Sequence, residues 1–289
     1  VDDSTGCYDV KFDPSNPSHL WATMWQAHRT PYSLSSGGKG SALYKSVDGG
    51  NTWKNVSESP GLPKGILGKI TVTISPANPN RMWAMVENEN GGLFRSDDGG
   101  EHWSQINTDK NLRQRPWYFS QIYADPKDEN SIIVLNVSSW ISHDGGKSFD
   151  RLNVNHGDCH ELWWNPNNSM NFMIGDDGGG EITFDGGQTF SELDFPTAQF
   201  YHVSVDNDFP YGVYGCQQDN SSIKIKSRSP GYSIDENDWY PAAGGEAGYL
   251  AADPLNPDVT DGGEYDGYMS RYDYKTNQNT SVSVYPEAW

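Results

Sequence analysis

The 289-residue sequence has no long apolar run, few basic residues and few cysteines. Its apolar stretches fall short of the roughly 18 residues that a membrane-spanning helix requires, which argues against membrane insertion. A formal net charge of −19 argues against nucleic acid as a partner, because binding to nucleic acid needs clustered Lys and Arg to displace counterions. The same charge also disfavours anionic membranes and is typical of a soluble, self-repelling surface.

The three cysteines give no sign of a metal site or another cofactor. Cys7, Cys159 and Cys216 lack the spacing of a metal-binding finger, and an odd number cannot pair completely within one chain. We therefore predict no cofactor, and the disulfide state of these residues stays open.

Turn-forming and aromatic residues are abundant instead. The chain contains 31 glycines, 17 prolines, 11 tryptophans and 16 tyrosines. Such a mixture is typical of short strands joined by tight turns and argues against long helices. The expected fold class is all-β.

A short motif recurs four times, as SVDGGNTW, SDDGGEHW, SHDGGKSF and TFDGGQTF; we call these segments the DGG turns. They cover residues 46–53, 96–103, 142–149 and 183–190. A feature repeated in this way is more often scaffold than active site. The alternative, a calcium loop, would need more alternating oxygen donors than this spacing supplies.

A second motif runs in step with the first and sets the period of the fold. FDPSNP, ISPANP, ADPKDE, WNPNNS, VDNDFP and ADPLNP begin 62, 50, 40, 41 and 47 residues apart, the range of a four-stranded propeller blade. We predict one β-propeller over residues 1–289, made of four-stranded antiparallel blades. Its six blade units cover about 7–57, 68–108, 117–153, 158–194, 199–240 and 247–285.

The DGG turns resemble the Asp-box, or bacterial neuraminidase repeat, a turn between the third and fourth strands of a blade. Its aspartate accepts backbone N–H bonds, its glycines permit positive φ, and its aromatic residue packs between blades. Blades 5 and 6 have lost the motif. The residues that this resemblance makes structural are Ser46, Asp48, Gly50, Trp53, Ser96, Asp98, Gly100, Trp103, Ser142, Asp144, Gly146, Phe149, Thr183, Asp185, Gly187 and Phe190.

The strand order predicts a division between two faces. Loops alternate along a blade, so the DGG turns and the DPxNP-type turns share one face. The opposite face receives the links between blades and the loops joining strands two and three; we call these segments the connectors. The connectors differ from blade to blade and hold polar and aromatic residues, as expected for a binding site.

The connector HGDCH places His156, Asp158 and His160 at alternate positions at the entry of an inner strand. Their side chains are expected to point the same way, within reach of a metal ion or a bound hydroxyl. In the alternative interpretation they cap the strand and bind backbone groups. Because no third metal ligand is evident, we predict no metal site.

Four connector carboxylates are candidates for acid–base chemistry. Hydrolysis of a glycoside needs two carboxyl groups roughly 5–9.5 Å apart, a separation that a sequence cannot give. In the alternative interpretation these residues have no catalytic role and lie in tight turns or exposed loops. The candidates are Asp158, Asp176, Asp177 and Glu246.

Other connector residues are suited to holding a polar ligand. Arginine and aromatic side chains can clamp a carboxylate or stack on a sugar, and amides offer the donors and acceptors that sugar hydroxyls require. The segment 28–40, rich in Gly and Ser, suggests a mobile flap. The candidate ligand-binding residues are His28, Arg29, Arg113, Arg115, Trp117, Tyr118, His156, His160, Gln217, Gln218 and Asp219.

Nearly the whole chain is similar to large secreted bacterial proteins of the sortilin-type, or glycosyl-hydrolase-like, Asp-box propeller family. The segments that carry this resemblance include RQRPWYFSQIYADP, HGDCHELWWNPNN and GGEAGYLAADP. It implies a secreted or cell-surface protein and, because members are commonly longer, a fragment or one propeller that packs against further domains. Sialidases and xyloglucanases share Asp-boxes, but their catalytic residues cannot be matched here.

Two functions follow from these patterns. The first is binding of a polysaccharide or glycan at the connector face, with glycoside hydrolysis by a carboxylate pair as its enzymatic form. The second is a non-catalytic, sortilin-like module that holds a protein or peptide.

Overall fold

The computed structural model describes residues 2–194 and 198–284 of the chain. The predicted last residue of blade 6, residue 285, and the connector residues 195–197 lie outside these described residues. The chain divides between residues 195 and 196 into two compact units. Unit 1 holds blades 1 to 4, and unit 2 holds blades 5 and 6.

Blade 1 has one strand more than predicted. Its order is β1-β2-β4-β5, and β3 pairs with the extended second strand to form a hairpin. The segment predicted to be a loop and flap is therefore built largely of strand, because backbone pairing reaches as far as the turn between Thr30 and Ser33. The strands are β1 (Thr5–Asp13), β2 (Asn16–Thr30), β3 (Ser33–Ser36), β4 (Ala42–Ser46) and β5 (Lys54–Asn55).

Blades 2 to 4 are each four-stranded antiparallel sheets in chain order. A 3-10 helix, Lys110–Arg113, lies in the connector between blades 2 and 3. Blade 2 contains β6 (Ile70–Ile74), β7 (Met82–Val86), β8 (Gly92–Ser96) and β9 (Ser104–Asn107). Blade 3 contains β10 (Gln121–Ala124), β11 (Ile132–Leu135), β12 (Ser139–Ser142) and β13 (Asp150–Arg151). Blade 4 contains β14 (Cys159–Trp164), β15 (Phe172–Asp176), β16 (Gly179–Thr183) and β17 (Ser191–Asp194).

Unit 2 repeats the same four-stranded order twice. Blade 5 contains β18 (Phe200–Val205), β19 (Gly212–Gln217), β20 (Ser222–Lys226) and β21 (Trp239–Pro241). Blade 6 contains β22 (Leu250–Ala252), β23 (Val259–Gly263), β24 (Met269–Asp273) and β25 (Gln278–Ser281). The short 3-10 helices Glu236–Asp238 and Tyr265–Gly267 complete the unit, and no helix among the described residues has the length and apolarity to cross a bilayer.

The all-β propeller class predicted from the sequence is confirmed: six antiparallel sheets follow one another as blades. Within each unit the core lies between consecutive blades. In unit 1, Trp21 of blade 1 packs with Val72 of blade 2, and Trp83 of blade 2 packs with Ile122 of blade 3. Strand β6 is buried at all five positions because it has a blade on either side, so its sequence is ITVTI.

The four DGG turns share one hydrogen-bond pattern. In the first, Asp48 accepts bonds from the Ser46 hydroxyl at 2.8 Å, the Thr52 N–H at 2.9 Å and the Thr52 hydroxyl at 2.6 Å. These bonds stabilise the charged carboxylate and lower the pKa of Asp48 to about 2. The second glycine, Gly50, has φ of 87°, a conformation that suits glycine. The equivalent carboxylates, which also have pKa values lowered to about 2 by such bonds, are Asp98, Asp144 and Asp185.

The aromatic residue of the turn packs between blades in three of the four cases. Trp103 is 4% exposed in the core of blades 1 and 2, and Phe149 and Phe190 pack against the next two inter-blade cores. Trp53 is 39% exposed, because blade 1 has no earlier blade in unit 1 to cover it. The turn hydrogen bonds therefore form in all four repeats, whereas the aromatic residue packs between blades in blades 2 to 4.

Each DGG turn of unit 1 also bonds to the turn between strands one and two of its own blade. Gly49 donates to the Ser18 carbonyl at 2.9 Å, and Gly99 donates to the Asn80 carbonyl at 2.8 Å. Gly145 and Gly186 make the same bond in blades 3 and 4. In blades 1 to 4 the two kinds of turn therefore share one end of the blade, and the connectors lie at the other end.

Candidate functional site

Three connector side chains of unit 1 meet at the ends of blades 3 and 4. Nε2 of His160 lies 2.6 Å from Oδ1 of Asp177, and the Tyr118 hydroxyl donates to Oδ2 of Asp177 at 3.2 Å. The same hydroxyl lies 3.5 Å from Nε2 of His160. His160 enters from the second residue of β14, and Asp177 occupies the turn between β15 and β16. The predicted residues Tyr118, His160 and Asp177 therefore form one cluster.

An ion pair adjoins this cluster. Nη2 of Arg115 bonds to Oδ1 of Asp158, and the Arg115 guanidinium lies 5.3 Å from the centre of the Tyr118 ring. Both members of the pair have left-handed backbones, with φ of 44° at Arg115 and 52° at Asp158. Such conformations are costly away from glycine and often occur where a side chain must be aimed at a ligand. The five residues named here and above form what we call the unit 1 cluster.

Of the two interpretations of HGDCH, the backbone contact is observed for His156, and the strand alternation of His156, Asp158 and His160 is not. β14 begins at Cys159, and the left-handed turn at Asp158 breaks the strand register before it. His156 instead places Nδ1 2.9 Å from the Gly157 carbonyl oxygen, a contact with the backbone. Among residues 2–194 and 198–284, no group of three or more His, Cys, Asp or Glu could hold a metal ion.

Asp176 lies beside a buried acid that sequence reasoning did not single out. Glu181 is 2% exposed, and its Oε1 accepts N–H bonds from Asn155 at 2.5 Å and His156 at 3.3 Å. Burial, opposed by these bonds and reinforced by the neighbouring Asp176 carboxyl, raises the pKa of Glu181. Within the described part of the chain, Oε2 of Glu181 and Oδ2 of Asp176 are both buried and have no hydrogen-bond partner. Glu181 and the half-buried Asp176 therefore form a pair of neighbouring acids.

A buried lysine holds the segment that carries Tyr118. Lys69 is 3% exposed, and its Nζ donates to the Tyr118 carbonyl at 3.1 Å and lies 3.5 Å from the Trp117 carbonyl. The ammonium group lies 4.4 Å from the Tyr8 ring centre and 4.3 Å from that of Trp25. Burial lowers the pKa of Lys69 to about 8. Lys69 thus ties blade 1 to the connector between blades 2 and 3.

The predicted residues of unit 2 form a second group. Nε2 of Gln218 donates to Asp219 at 2.8 Å and to Glu246 at 2.5 Å. Gln217 is buried in β19 and donates its N–H to the Ser221 carbonyl at 3.1 Å, so its main chain is part of the scaffold. Glu246 therefore belongs with Gln218 and Asp219, within unit 2.

The remaining predicted residues lie elsewhere. His28 lines a cavity of about 590 Å³ with Asp3, Ser4 and Gln26, and Arg29 is exposed on the β2–β3 hairpin. Arg113 ends the 3-10 helix of the connector and is half-buried. The ring of Trp117 lies 6.2 Å from that of Tyr118.

Glu181 and Lys69 were not predicted as site residues, although both lie in connectors. Glu181 ends the connector GDDGGGE, but its residue type repeats elsewhere in the chain, so only its contacts across strands distinguish it. Lys69 ends the connector LPKGILGK, and no local signal shows that its ammonium group is buried between aromatic rings.

The family described as sortilin, neurotensin receptor 3, matches residues 41–160, less than half of the chain. No curated protein matches. Among solved structures, YCF48 bound to D1 peptide is 16% identical with a TM-score of 0.45, over 96% of this chain and 82% of that one. An ancestral GH74 enzyme is 14% identical with a TM-score of 0.47, over 95% of this chain and 37% of that one. The GH74 xyloglucanase from Xanthomonas campestris is 13% identical with a TM-score of 0.37, over 97% of this chain and 49% of that one.

The chain thus spans less than half the length of either GH74 protein. Residues 41–160 contain the connector with Arg115 and Tyr118 and reach His160 at their end. The resemblance to sortilin-type propellers predicted from the sequence is confirmed over this segment.

Proposed function

We propose that unit 1 binds a glycan or a similarly polar ligand through the unit 1 cluster, without cleaving it. The observation that carries this proposal is the Tyr118 hydroxyl between His160 and Asp177, with Arg115 against the same ring. An aromatic face beside charged donors and acceptors is suited to a ring of hydroxyl groups. Tyr118 is 39% exposed, so its ring is accessible to such a ligand.

Binding is favoured over hydrolysis by the partners of the two carboxylates. Asp158 bonds to Arg115, and Asp177 bonds to His160 and Tyr118. Both carboxylates therefore act as acceptors, whereas glycoside hydrolysis requires one carboxyl group of the pair to donate a proton. Capture of a peptide is the second candidate, which the sortilin-type match favours because it includes Arg115 and Tyr118. Either ligand suits a secreted or cell-surface protein.

The test is a glycan array followed by titration calorimetry with the full chain. We expect His160→Ala and Asp177→Asn to weaken binding about tenfold or more, since a bond to a charged group contributes roughly 1.5–3 kcal/mol. His102→Ala is the matched control, because His102 pairs with Asp98 at 2.7 Å in a DGG turn, at the other end of its blade.

Three results would contradict the proposal. Failure of the wild type to bind any glycan would refute it, and a loss in His102→Ala equal to that in His160→Ala would show a general effect on folding. Release of reducing sugar that Asp177→Asn abolishes would establish hydrolysis instead. Binding of peptides alone, in a parallel peptide array, would favour the second candidate.

A further inference from the structure

Unit 2 contains a chain of four hydrogen-bonded side chains at the connector ends of blades 5 and 6. The Tyr201 hydroxyl donates to Oε1 of Gln218, and Nε2 of Gln218 donates to Oε1 of Glu246 at 2.5 Å. The Tyr265 hydroxyl donates to the same Glu246 oxygen. Tyr201 is the second residue of the inner strand of blade 5, and Tyr265 is the first residue of the 3-10 helix between β23 and β24. Four separate connectors therefore bring these groups together.

The backbone is left-handed immediately after three of the four residues. φ is 52° at Asp219, 61° at Ala247 and 59° at Asp266, the residues that follow Gln218, Glu246 and Tyr265. Among the described residues, six that are not glycine have positive φ, and five of them either follow a member of this group or belong to the Arg115–Asp158 pair. Strained backbone that concentrates where side chains converge is a recognised sign of a functional site.

The chemistry of the group selects a ligand that brings hydroxyl donors. Both hydrogens of the Gln218 amide are used, on Asp219 and Glu246, and both bonds to Glu246 reach Oε1. Among the described residues no donor bonds to Oε2 of Glu246, so this oxygen is available to accept from a ligand. The carboxylates of Asp219 and Glu246 would repel an acidic sugar, so the preferred ligand is neutral.

Exposed aromatic rings belong to the same connectors as these acceptors. Tyr265 is 53% exposed, and Tyr249 is 67% exposed and stacked on His202 with ring centres 3.6 Å apart. His202 and Tyr249 are close in sequence to Tyr201 and Glu246. The apolar face of a sugar ring packs against such rings while its hydroxyl groups bond to carboxylates.

We infer that unit 2 carries a second carbohydrate site, formed by Tyr201, Gln218, Glu246 and Tyr265, which binds a neutral sugar. The inference rests on the proposed function for its ligand class alone, because no residue of the unit 1 cluster takes part. The two proposals can therefore be tested separately.

The test measures binding of neutral oligosaccharides to the full chain, with cellohexaose, xylohexaose, mannohexaose and laminarihexaose as probes. We expect Glu246→Ala and Tyr265→Ala to weaken binding of one of these at least tenfold, and Tyr265→Phe to have a smaller effect because the ring remains. Tyr232→Phe is the control for tyrosine substitution, since Tyr232 is fully exposed in the same unit. An oligogalacturonate of the same length should not bind at this site.

The unit 1 variant His160→Ala separates the two proposals. Unchanged binding in His160→Ala with loss in Glu246→Ala and Tyr265→Ala supports the site in unit 2, even if the unit 1 proposal fails. Loss in His160→Ala with none in the unit 2 variants overturns the inference and leaves the unit 1 proposal standing. Absence of binding by the wild type to all four neutral probes also overturns it. Thermal unfolding of each variant shows whether a loss reflects misfolding.

Discussion

Arg115 and Asp158 form an ion pair although each has a left-handed backbone. A Cβ atom is disfavoured in this conformation, so Arg115→Gly and Arg115→Ala should differ in stability although both lose the same ion pair. We expect the glycine variant to be more stable by about 1 kcal/mol, measured by urea unfolding. Equal stability, or a more stable alanine variant, would show that the turn relaxes once the guanidinium is removed.

Lys69 makes stability depend on pH in the alkaline range. Its pKa is lowered to about 8 in the folded protein from an ordinary value of 10.5, so the unfolded chain binds the proton more tightly. The free energy of unfolding should therefore rise with pH between about 8 and 10.5, relative to a Lys69→Met variant. The slope from this one group is at most about 1.4 kcal/mol per pH unit.

Urea unfolding at several pH values tests this, with exposed Lys54→Met as the control. Parallel stability curves for the wild type and Lys69→Met would contradict the prediction. A slope that is lost equally in Lys54→Met would assign the effect to general charge.

Replacing the Glu181 carboxyl group by an amide should stabilise the protein. In Glu181→Gln, Oε1 still accepts from the Asn155 and His156 N–H groups, and Nε2 can donate to the buried Oδ2 of Asp176. Because the pKa of Glu181 is raised, its ionisation costs stability as pH rises above 4.5. We expect the variant to melt higher than wild type at pH 7, with a difference that shrinks towards pH 4.

Glu181→Met provides the contrast, because it removes the acceptor of the Asn155 and His156 N–H groups. It should be destabilised by roughly 1–3 kcal/mol, since each of the two lost hydrogen bonds contributes roughly 0.5–1.5 kcal/mol. If Glu181→Gln melted lower than wild type at pH 7, the paired acids would be making contacts that an amide cannot reproduce.

Alanine substitutions at two glycines of the DGG turns distinguish the effect of backbone strain from the effect of core packing. A Cβ on Gly49 would meet nothing within 4 Å, whereas a Cβ on Gly146 would lie 2.7 Å from Leu93 and 2.8 Å from Ile106. Both residues have positive φ, 73° and 94°. Gly49→Ala should cost about 1–2 kcal/mol from strain alone, and Gly146→Ala should cost more by a further 1 kcal/mol or above. If both variants lost the same free energy of unfolding in denaturant, the core between blades 2 and 3 would accommodate the added methyl group without cost.

The repeated parts of this protein were predictable because they are local. A turn such as 46–53 makes most of its hydrogen bonds within eight residues, so its sequence contains nearly all the information that its geometry needs. The blade order followed from the same repeats. The hairpin of β2 and β3 was missed because Gly and Ser in segment 28–40 indicated a loop, while strand pairing between His28 and Ser35 depends on the neighbouring sheet.

The candidate sites could be predicted only as sets of residues. The sequence marked Arg115, Asp158, His160 and Asp177 as connector residues but did not show which of them pair, and the left-handed backbone at Asp158 precedes the strand that carries His160. Residues 42 or 43 positions apart form the Tyr118–His160 and Arg115–Asp158 contacts. No periodicity spans such distances.

The amino-acid sequence by itself determined the all-β class, the blade period and the end of each blade at which the unrepeated polar residues lie. These features follow from short-range turn chemistry and from strands whose apolar residues must be buried. The tertiary structure alone decided which acid meets which donor, that Lys69 lies between Tyr8 and Trp25, and that Tyr265 reaches Glu246. Such contacts join separate connectors, and their geometry is set by how neighbouring blades pack.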